Sequence, residues 1–422
     1  MQMTYIPEGQ TTRSLARPLQ GRMTARDVHA VMDRHAIEPP AHVAPIVRSL
    51  AGAHLRDQDG DVWIDACTGG FGSAHPQVQR AVAAQLERIS LSSRFLISRP
   101  LAEAVAAIDR FCGGDLTVSY LCSSGSEALD AALKLAKGTH PRRRKVVAVS
   151  GEEHGTFSHG QAMGGRPSPL PDLPLRPVSA ALSDPDRFLA LVDRDTAAVV
   201  IAPAAPGRTL THLPTTWWTA LRRRCHRARA LLIFDERQTA PARTGSSLAI
   251  EQLGIEPDAL VLGDAFGADA VPLGITVMTR AAYDRVYSRR NPSLHGSTFG
   301  ANPLAAATVT AVVAASDSVL ADRQAAVGRW ARERLATVSS TAGPLPEHGA
   351  DGSLIWLRAA SPVIAQRLAA ELADRRVLVR APRADVVSLL PPLTARTADV
   401  EALLARTVDA ALRLTVEEGA ST

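Results

Sequence analysis

Residues 231–245 read LLIFDERQTAPARTG, and residues 256–274 read EPDALVLGDAFGADAVPLG. Each holds a short apolar run, LLIF or ALVL, that gives way to an acidic residue and a Gly- or Pro-bearing turn. Runs of this length, bounded by turn signals, read as strands buried on both faces. The same unit recurs outward from this stretch: TVSYLCSS, KVVAVSG and AAVVIAP lie before it, and LGITVMT ends the series near residue 280. Helical periodicity fills the gaps, as in SEALDAALKLAK (126–137) and WWTALRRRCHRARA (217–230). Such alternation predicts an α/β fold, with a mainly parallel sheet sandwiched by helices.

The chain ends follow a different pattern. HLRDQDGDVWIDA (54–66) alternates in strand fashion through an Asp-Gly turn. Beyond about residue 310 come the helix ANPLAAATVTAVVAA, the strand LIWLRA and the helices PVIAQRLAAELADRR and DVEALLARTVDAALRL. The expected division is an N-terminal arm and small-domain segment (1–60), a large α/β domain (61–310) and a smaller α+β domain (311–422).

Composition excludes several classes. Of 422 residues, 46% are hydrophobic and 21% charged, the balance of a globular chain. Apolar runs fall well short of the roughly 20 residues that cross a bilayer, and no leader-type h-region opens the chain. The four cysteines have no metal-ligand spacing, so no metal is expected and a reduced, cytoplasmic location is. The net charge of +5 comes from dispersed arginines without interleaved aromatics, which argues against nucleic acid. Only three of the 47 basic residues are lysines: Lys134, Lys137 and Lys145.

Six ordered motifs carry a resemblance. SSGSEA (123–128) ends a strand and opens a helix, where Gly125 permits a tight turn and the first amides form an anion cup. EEHGTF (152–157) follows, then the two stretches quoted above, HGSTFGANPLAAA (295–307) and VVSLLPPL (386–393). In this order and spacing, from about residue 40 to 415, the chain resembles the class III pyridoxal-phosphate-dependent aminotransferases of fold type I, the ornithine and omega-amino-acid group. The resemblance implies that Gly125 and Ser126 hold the cofactor phosphate, with Thr298 reaching it from a partner subunit. It also implies that Asp235 pairs with the pyridine nitrogen and Gln238 approaches the ring's phenolic oxygen. A homodimer and a small-molecule substrate follow from the same likeness.

The departures are chemical. Where the family has its Schiff-base lysine, in a segment like LGKALGGGVPLG, this chain has LGDAFGADAVPLG, with Asp264 at the lysine position. A carboxylate cannot condense with an aldehyde. Lys134 lies about 12 Å along the helix from Ser126, at 1.5 Å per residue, and is no substitute. Glu153 stands where relatives have a ring-stacking aromatic, before His154, which reads as a structural histidine supporting the site rather than a catalyst. Arg237 replaces a small apolar residue and shares a strand face with Asp235. Ala202 and Ser388 replace a glutamate and a substrate-binding arginine. Glu153, Arg237 and Asp264 are therefore expected to pair with one another and with Asp235, filling the ring's space.

The favoured expectation is an enzyme that binds no cofactor. It would use Asp264 and Glu153 as acid and base and Arg237 as an anion clamp, in a cyclisation, dehydration or isomerisation. One alternative is non-covalent pyridoxamine or pyridoxal phosphate with Asp264 as base, in a dehydratase- or transaminase-like reaction. The other is a catalytically inactive binding subunit.

Overall fold

The computed structural model describes residues 23–35, 45–72, 75–92, 96–164, 173–288, 291, 294–341 and 347–419. An N-terminal meander comprises β1 (Val47–Ala51), β2 (His54–Asp57) and β3 (Val62–Asp65), each antiparallel to the next. Its Asp-Gly turn is tied by Asp57, whose Oδ1 accepts the amides of Asp59 (3.1 Å) and Asp61 (2.8 Å).

The central sheet has seven strands: β4 (Val118–Cys122), β5 (Lys145–Val149), β6 (Arg176–Ala180), β7 (Thr196–Ile201), β8 (Leu231–Asp235), β9 (Ala259–Leu262) and β10 (Gly274–Met278). Their order is β4-β10-β9-β8-β7-β5-β6. From β9 to β6 every pairing is parallel, while β10 runs antiparallel to both β9 and β4. The link between β9 and β10 holds only a 3-10 turn, Asp264–Gly267, and is too short for a helical crossover, so the chain reverses there.

Alternate residues of β8 enter different cores, as its two-sided burial requires. Leu232 and Phe234 join the layer that includes Ile108, Trp218, Leu221 and Val309, whereas Ile233 joins Leu129, Leu133 and Leu135. Complete exclusion of water from side chains this large, at roughly 1.5–3 kcal/mol each, is the main force holding both helical layers on the sheet.

The C-terminal strands are β11 (Glu347–Asp351), β12 (Leu354–Arg358), β13 (Val377–Leu378) and β14 (Val386–Leu389). β12 lies between β11 and β14, and β13 pairs in parallel with β3. One apolar core joins Ala53 and Ile64 to Leu357, Leu368 and Leu403, so the two chain ends pack together. A helix at Ser318–Thr341, unmarked in the sequence reading, spans 24 residues before β11. Its apolar positions are diluted by arginine, which hides the period.

Candidate functional site

The site forms where β4, β5, β8 and β9 deliver their C-terminal ends. After β4, Ser124 caps the helix Gly125–Thr139 by accepting the Glu127 amide at 3.2 Å, and Glu127 reaches back to the Ser123 amide at 3.0 Å. This reciprocal cap leaves the first helical amides turned toward the cavity. Ser126 Oγ accepts the Thr156 amide at 3.2 Å, which brings the EEHGTF segment against the cup. Gly274 makes the close approach possible: a Cβ there would stand 2.1 Å from the Ser124 carbonyl oxygen.

Asp235 ends β8 with both carboxylate oxygens engaged. Arg237 Nε donates to Oδ1 at 2.8 Å and its Nη2 to Oδ2 at 2.7 Å. His154 Nδ1 lies 2.9 Å from Oδ2, and donates because an ionised carboxylate only accepts. Burial would raise the Asp235 pKa, but the Arg237 charge and these hydrogen bonds outweigh it and hold the carboxyl well below its usual range. Burial likewise works against the Arg237 charge, and Asp235, with smaller help from Glu153 and Asp264, overcomes it. Glu236 points to the opposite face. It accepts the amides of Ala249 (3.1 Å) and Ile250 (2.8 Å) and the Thr239 hydroxyl, and burial pushes it up to about 7.

The expected mutual pairing of the three replacements does not form. Arg237 takes Asp235 and touches Glu153 only at its backbone carbonyl, at 2.9 Å. The Glu153 carboxylate instead pairs with Arg383 at 3.0 Å and accepts from Gln238 at 3.5 Å. Asp264 opens its 3-10 turn with the side chain exposed to the cavity, and among the described residues it makes no ion pair. The physical reason is distance along different elements. Arg237 is two residues from Asp235 on one strand end and is captured locally, whereas Arg383 arrives from the C-terminal segment to meet Glu153.

A cavity of about 660 Å³ brings together Gly125, Ser126, Glu153, Arg237, Gln238 and Asp264. Asp235 and His154 lie beneath it, and Thr298 sits in an exposed turn outside its wall. None of the three lysines lines the cavity. Lys134 bonds Asp130 (3.0 Å) and His295 (3.2 Å), Lys137 donates to the Pro141 and Arg143 carbonyls, and Lys145 pairs with Asp193.

Several charged side chains around the site escaped the sequence reading. Glu152 supplies the carboxylate missing at Ala202: its Oε2 accepts the Ala202 amide at 3.2 Å, and Arg208 pairs with its Oε1. Arg243 is buried and donates to the carbonyls of Gly69 and Pro391; burial and the nearby Arg380 charge bring it down to about 10. The arginines of RAPRAD (380–385), flanking one proline just before VVSLLPPL, were the available signal for Arg380 and Arg383. Among the described residues no group of three or more His, Cys, Asp or Glu is placed to hold a metal ion. No single described helix is long and apolar enough to cross a membrane.

A family model described as aminotransferase class-III matches residues 37–411. The acetylornithine aminotransferase of Mycobacterium tuberculosis strain H37Rv is 33% identical over 389 residues, covering 89% of this chain and 93% of its own. That of Streptomyces coelicolor is 34% identical over 373 residues, covering 85% and 89%. The crystal structure of ornithine aminotransferase from Toxoplasma gondii superposes with a TM-score of 0.82 at 25% identity, over 94% of this chain and 97% of that one. A second structure of that enzyme is described as having partial occupancy of PLP at the active site.

These likenesses overturn two expectations. The relatives at 30–34% identity are named as aminotransferases, not cofactor-free lyases, isomerases or cyclases. The expected absence of a cofactor falls with it, because the class-III aminotransferases are pyridoxal-phosphate-dependent and a related structure is described with PLP at its active site. Of the expected pairing, Arg237 does close on Asp235, and it lies against Gly125 with the cavity beside it.

Proposed function

Because this chain belongs to the class-III aminotransferase family, we propose that it handles the amino group of a small amino compound using pyridoxal or pyridoxamine phosphate held without a covalent bond to lysine. One observation carries the reading: a helix-start amide cup opens into a space of about 660 Å³ that no lysine lines. Cavities of about 300–1,000 Å³ accept ligands of cofactor size. When bound, the cofactor supplies the carbonyl or amine that carries the amino group and a ring that withdraws electrons.

At the phosphate end the helix start supports the reading, with the Arg237 side chain lying beside Gly125. The amides of Gly125 and Ser126 face this position, at the positive end of a 15-residue helix. At the ring end, Arg237 keeps Asp235 ionised, so the ring nitrogen would meet a carboxylate already sharing its charge with a guanidinium. Gln238, held toward Glu153, remains available as a donor to the phenolic oxygen. Asp264, exposed and unpaired, can accept a proton or hold an ammonium where relatives have lysine. That role suits an amino-transfer reaction whose proton carrier is a carboxylate.

The names of the relatives favour an amino acid with a second, terminal or acylated nitrogen as substrate. A homodimer in the cytoplasm fits the same reading: Leu96, Ile97 and Phe299, the last next to Thr298 in the chain, expose large apolar side chains suited to a second copy.

The test uses purified full-length protein incubated with pyridoxal or pyridoxamine phosphate, freed of excess, then denatured. Near-stoichiometric release of intact cofactor is expected, with the chain mass unchanged by prior borohydride. Retention of neither cofactor would defeat the reading. A stoichiometric borohydride-fixed adduct on any lysine would defeat its non-covalent part.

A further inference from the structure

The candidate site uses the carboxyl ends of the parallel strands. Their amino ends form the opposite end of the sheet, where Lys145, Arg176, Thr196 and Leu231 open β5, β6, β7 and β8. Arginines that are dispersed in the sequence converge there. Arg143 Nη1 donates to the carbonyls of Thr196 and Ala228, both at 2.8 Å, which ties the loop before β5 to β7 and to the end of the helix Thr215–Ala228. The Arg176 amide donates to the Arg144 carbonyl at 2.6 Å and joins β6 to the same loop. Arg229 caps the helix Thr215–Ala228, and Arg285 lies in the last turn of the helix Arg280–Val286. His140, which caps the helix Gly125–Thr139, senses the convergence. Burial first, then the charges of Arg143, Arg285 and Arg229, hold its imidazole below the usual range.

Six exposed arginines of this end, Arg142, Arg144, Arg176, Arg227, Arg229 and Arg285, make no ion pair among the described residues. Exposed arginines elsewhere do pair, Arg376 with Asp61 and Arg396 with Asp399. A cation near a helix carboxyl end offsets the helix dipole, which accounts for Arg227, Arg229 and Arg285. Arg142, Arg144 and Arg176 lie in a loop and at a strand start, with no helix end to offset. Like charges gathered in this way repel one another, and an anionic partner relieves the repulsion.

We propose that this end of the sheet docks an acidic, carboxylate-rich segment of another protein. Guanidinium forks match carboxylates in plane. Three helices present their carboxyl ends here, and the partial negative charge of those ends disfavours phosphate, which helix amino ends attract. None of the exposed large apolar side chains among the described residues belongs to this surface, so it lacks what a membrane-inserting face carries. Its aromatic rings, Tyr283 and Tyr287, are half-buried and offer no open platform to a nucleic-acid base. The surface lies across the sheet from the cavity, so the proposal does not rest on the proposed function.

The test measures binding of labelled oligoglutamate and labelled duplex DNA to the full-length protein by fluorescence anisotropy, and co-sedimentation with phosphatidylserine-containing vesicles. Salt is held at about 0.15 M, where screening beyond about 8 Å removes diffuse attraction. Oligoglutamate binds more tightly than DNA, and the vesicles bring down no protein. Replacing Arg142, Arg229 and Arg285 together by Gln weakens oligoglutamate roughly tenfold, because exposed charge pairs contribute little singly but add when they are separate. The equally charged control, Arg48, Arg329 and Arg334 replaced by Gln, is exposed on elements from the chain ends and changes the affinity less than about twofold. The proposal is overturned if the wild type does not bind oligoglutamate, if it prefers DNA or vesicles, or if both triple variants lose affinity alike. If the first triple variant does not keep the wild-type urea midpoint, Arg142→Gln combined with Arg285→Gln decides, with an expected loss of roughly fourfold; no loss overturns the proposal.

Discussion

Replacing Arg237 with valine separates two roles that the structure assigns to one guanidinium. Asp235 has 3% of its side chain exposed, and Arg237 supplies two of its three side-chain hydrogen bonds. Valine leaves a buried carboxylate with only His154 and the backbone amide of residue 237, 3.3 Å from Oδ1, and breaking a buried pair in this way costs about 3–5 kcal/mol. The cost depends on pH. In the wild type the Asp235 pKa is depressed, so its contribution is present above the unfolded carboxylate value and is lost as pH falls through the folded value. In the valine protein burial raises that pKa, so the gap between the two proteins narrows as pH drops toward 4. Cofactor acts in the other direction, because a freed Asp235 can pair directly with a protonated ring nitrogen. At about 100 times Kd a ligand adds about 2.7 kcal/mol. Urea unfolding of both proteins, with and without pyridoxamine phosphate, therefore gives a valine protein that is less stable when empty and gains more from cofactor. An empty valine protein within about 0.5 kcal/mol of wild type, the range of an inconsequential surface change, would refute the claim that Asp235 depends on Arg237.

Gly274→Ala should abolish phosphate retention and lower the melting temperature, since its Cβ would press on the Ser124 carbonyl at 2.1 Å; unchanged pyridoxamine phosphate affinity by fluorescence would contradict this. Glu236 is raised to about 7, so its favourable contribution is complete below the unfolded carboxylate value and declines as pH rises from about 4.5 through 7. The stability difference between wild type and Glu236→Gln should accordingly change across that window in urea unfolding, and a flat difference would count against it. Arg208→Ala should destabilise by about 3–5 kcal/mol by stranding the buried Glu152, measurable as a lowered urea midpoint. Asp264→Asn should alter stability by less than about 0.5 kcal/mol, because the carboxylate is exposed and unpaired, yet remove turnover once a substrate is in hand; normal turnover would take Asp264 out of the chemistry.

The sheet was legible because its strands are buried on both faces and therefore nearly continuous in apolar residues. The reversal at β10 was not, because periodicity carries no direction; only the short β9–β10 link encodes it. The Ser318–Thr341 helix was lost for a similar reason, since its buried residues are spaced among arginines that a charge-based reading assigns to solvent. At the site, local spacing was informative. The two-residue step from Asp235 to Arg237 correctly placed both on one face, and SSGSEA correctly marked a capped helix start.

What spacing could not supply was choice among partners. From sequence, Glu153, Arg237 and Asp264 formed a set that balanced only with Asp235, and a balanced set invites the inference that it closes on itself. The fold offered two further arginines from the segment before β14, and Arg383 took Glu153. Asp264 was thereby left facing the open cavity. The difference governs the chemistry. A closed charged cluster would have filled the ring's place and argued for a reaction without cofactor. Arg237 instead lies on Asp235 and against Gly125, with a cavity of about 660 Å³ beside it into which Asp264 is exposed. Under the proposed function, the carboxylate at 264 changes how an amino group is held and its proton moved.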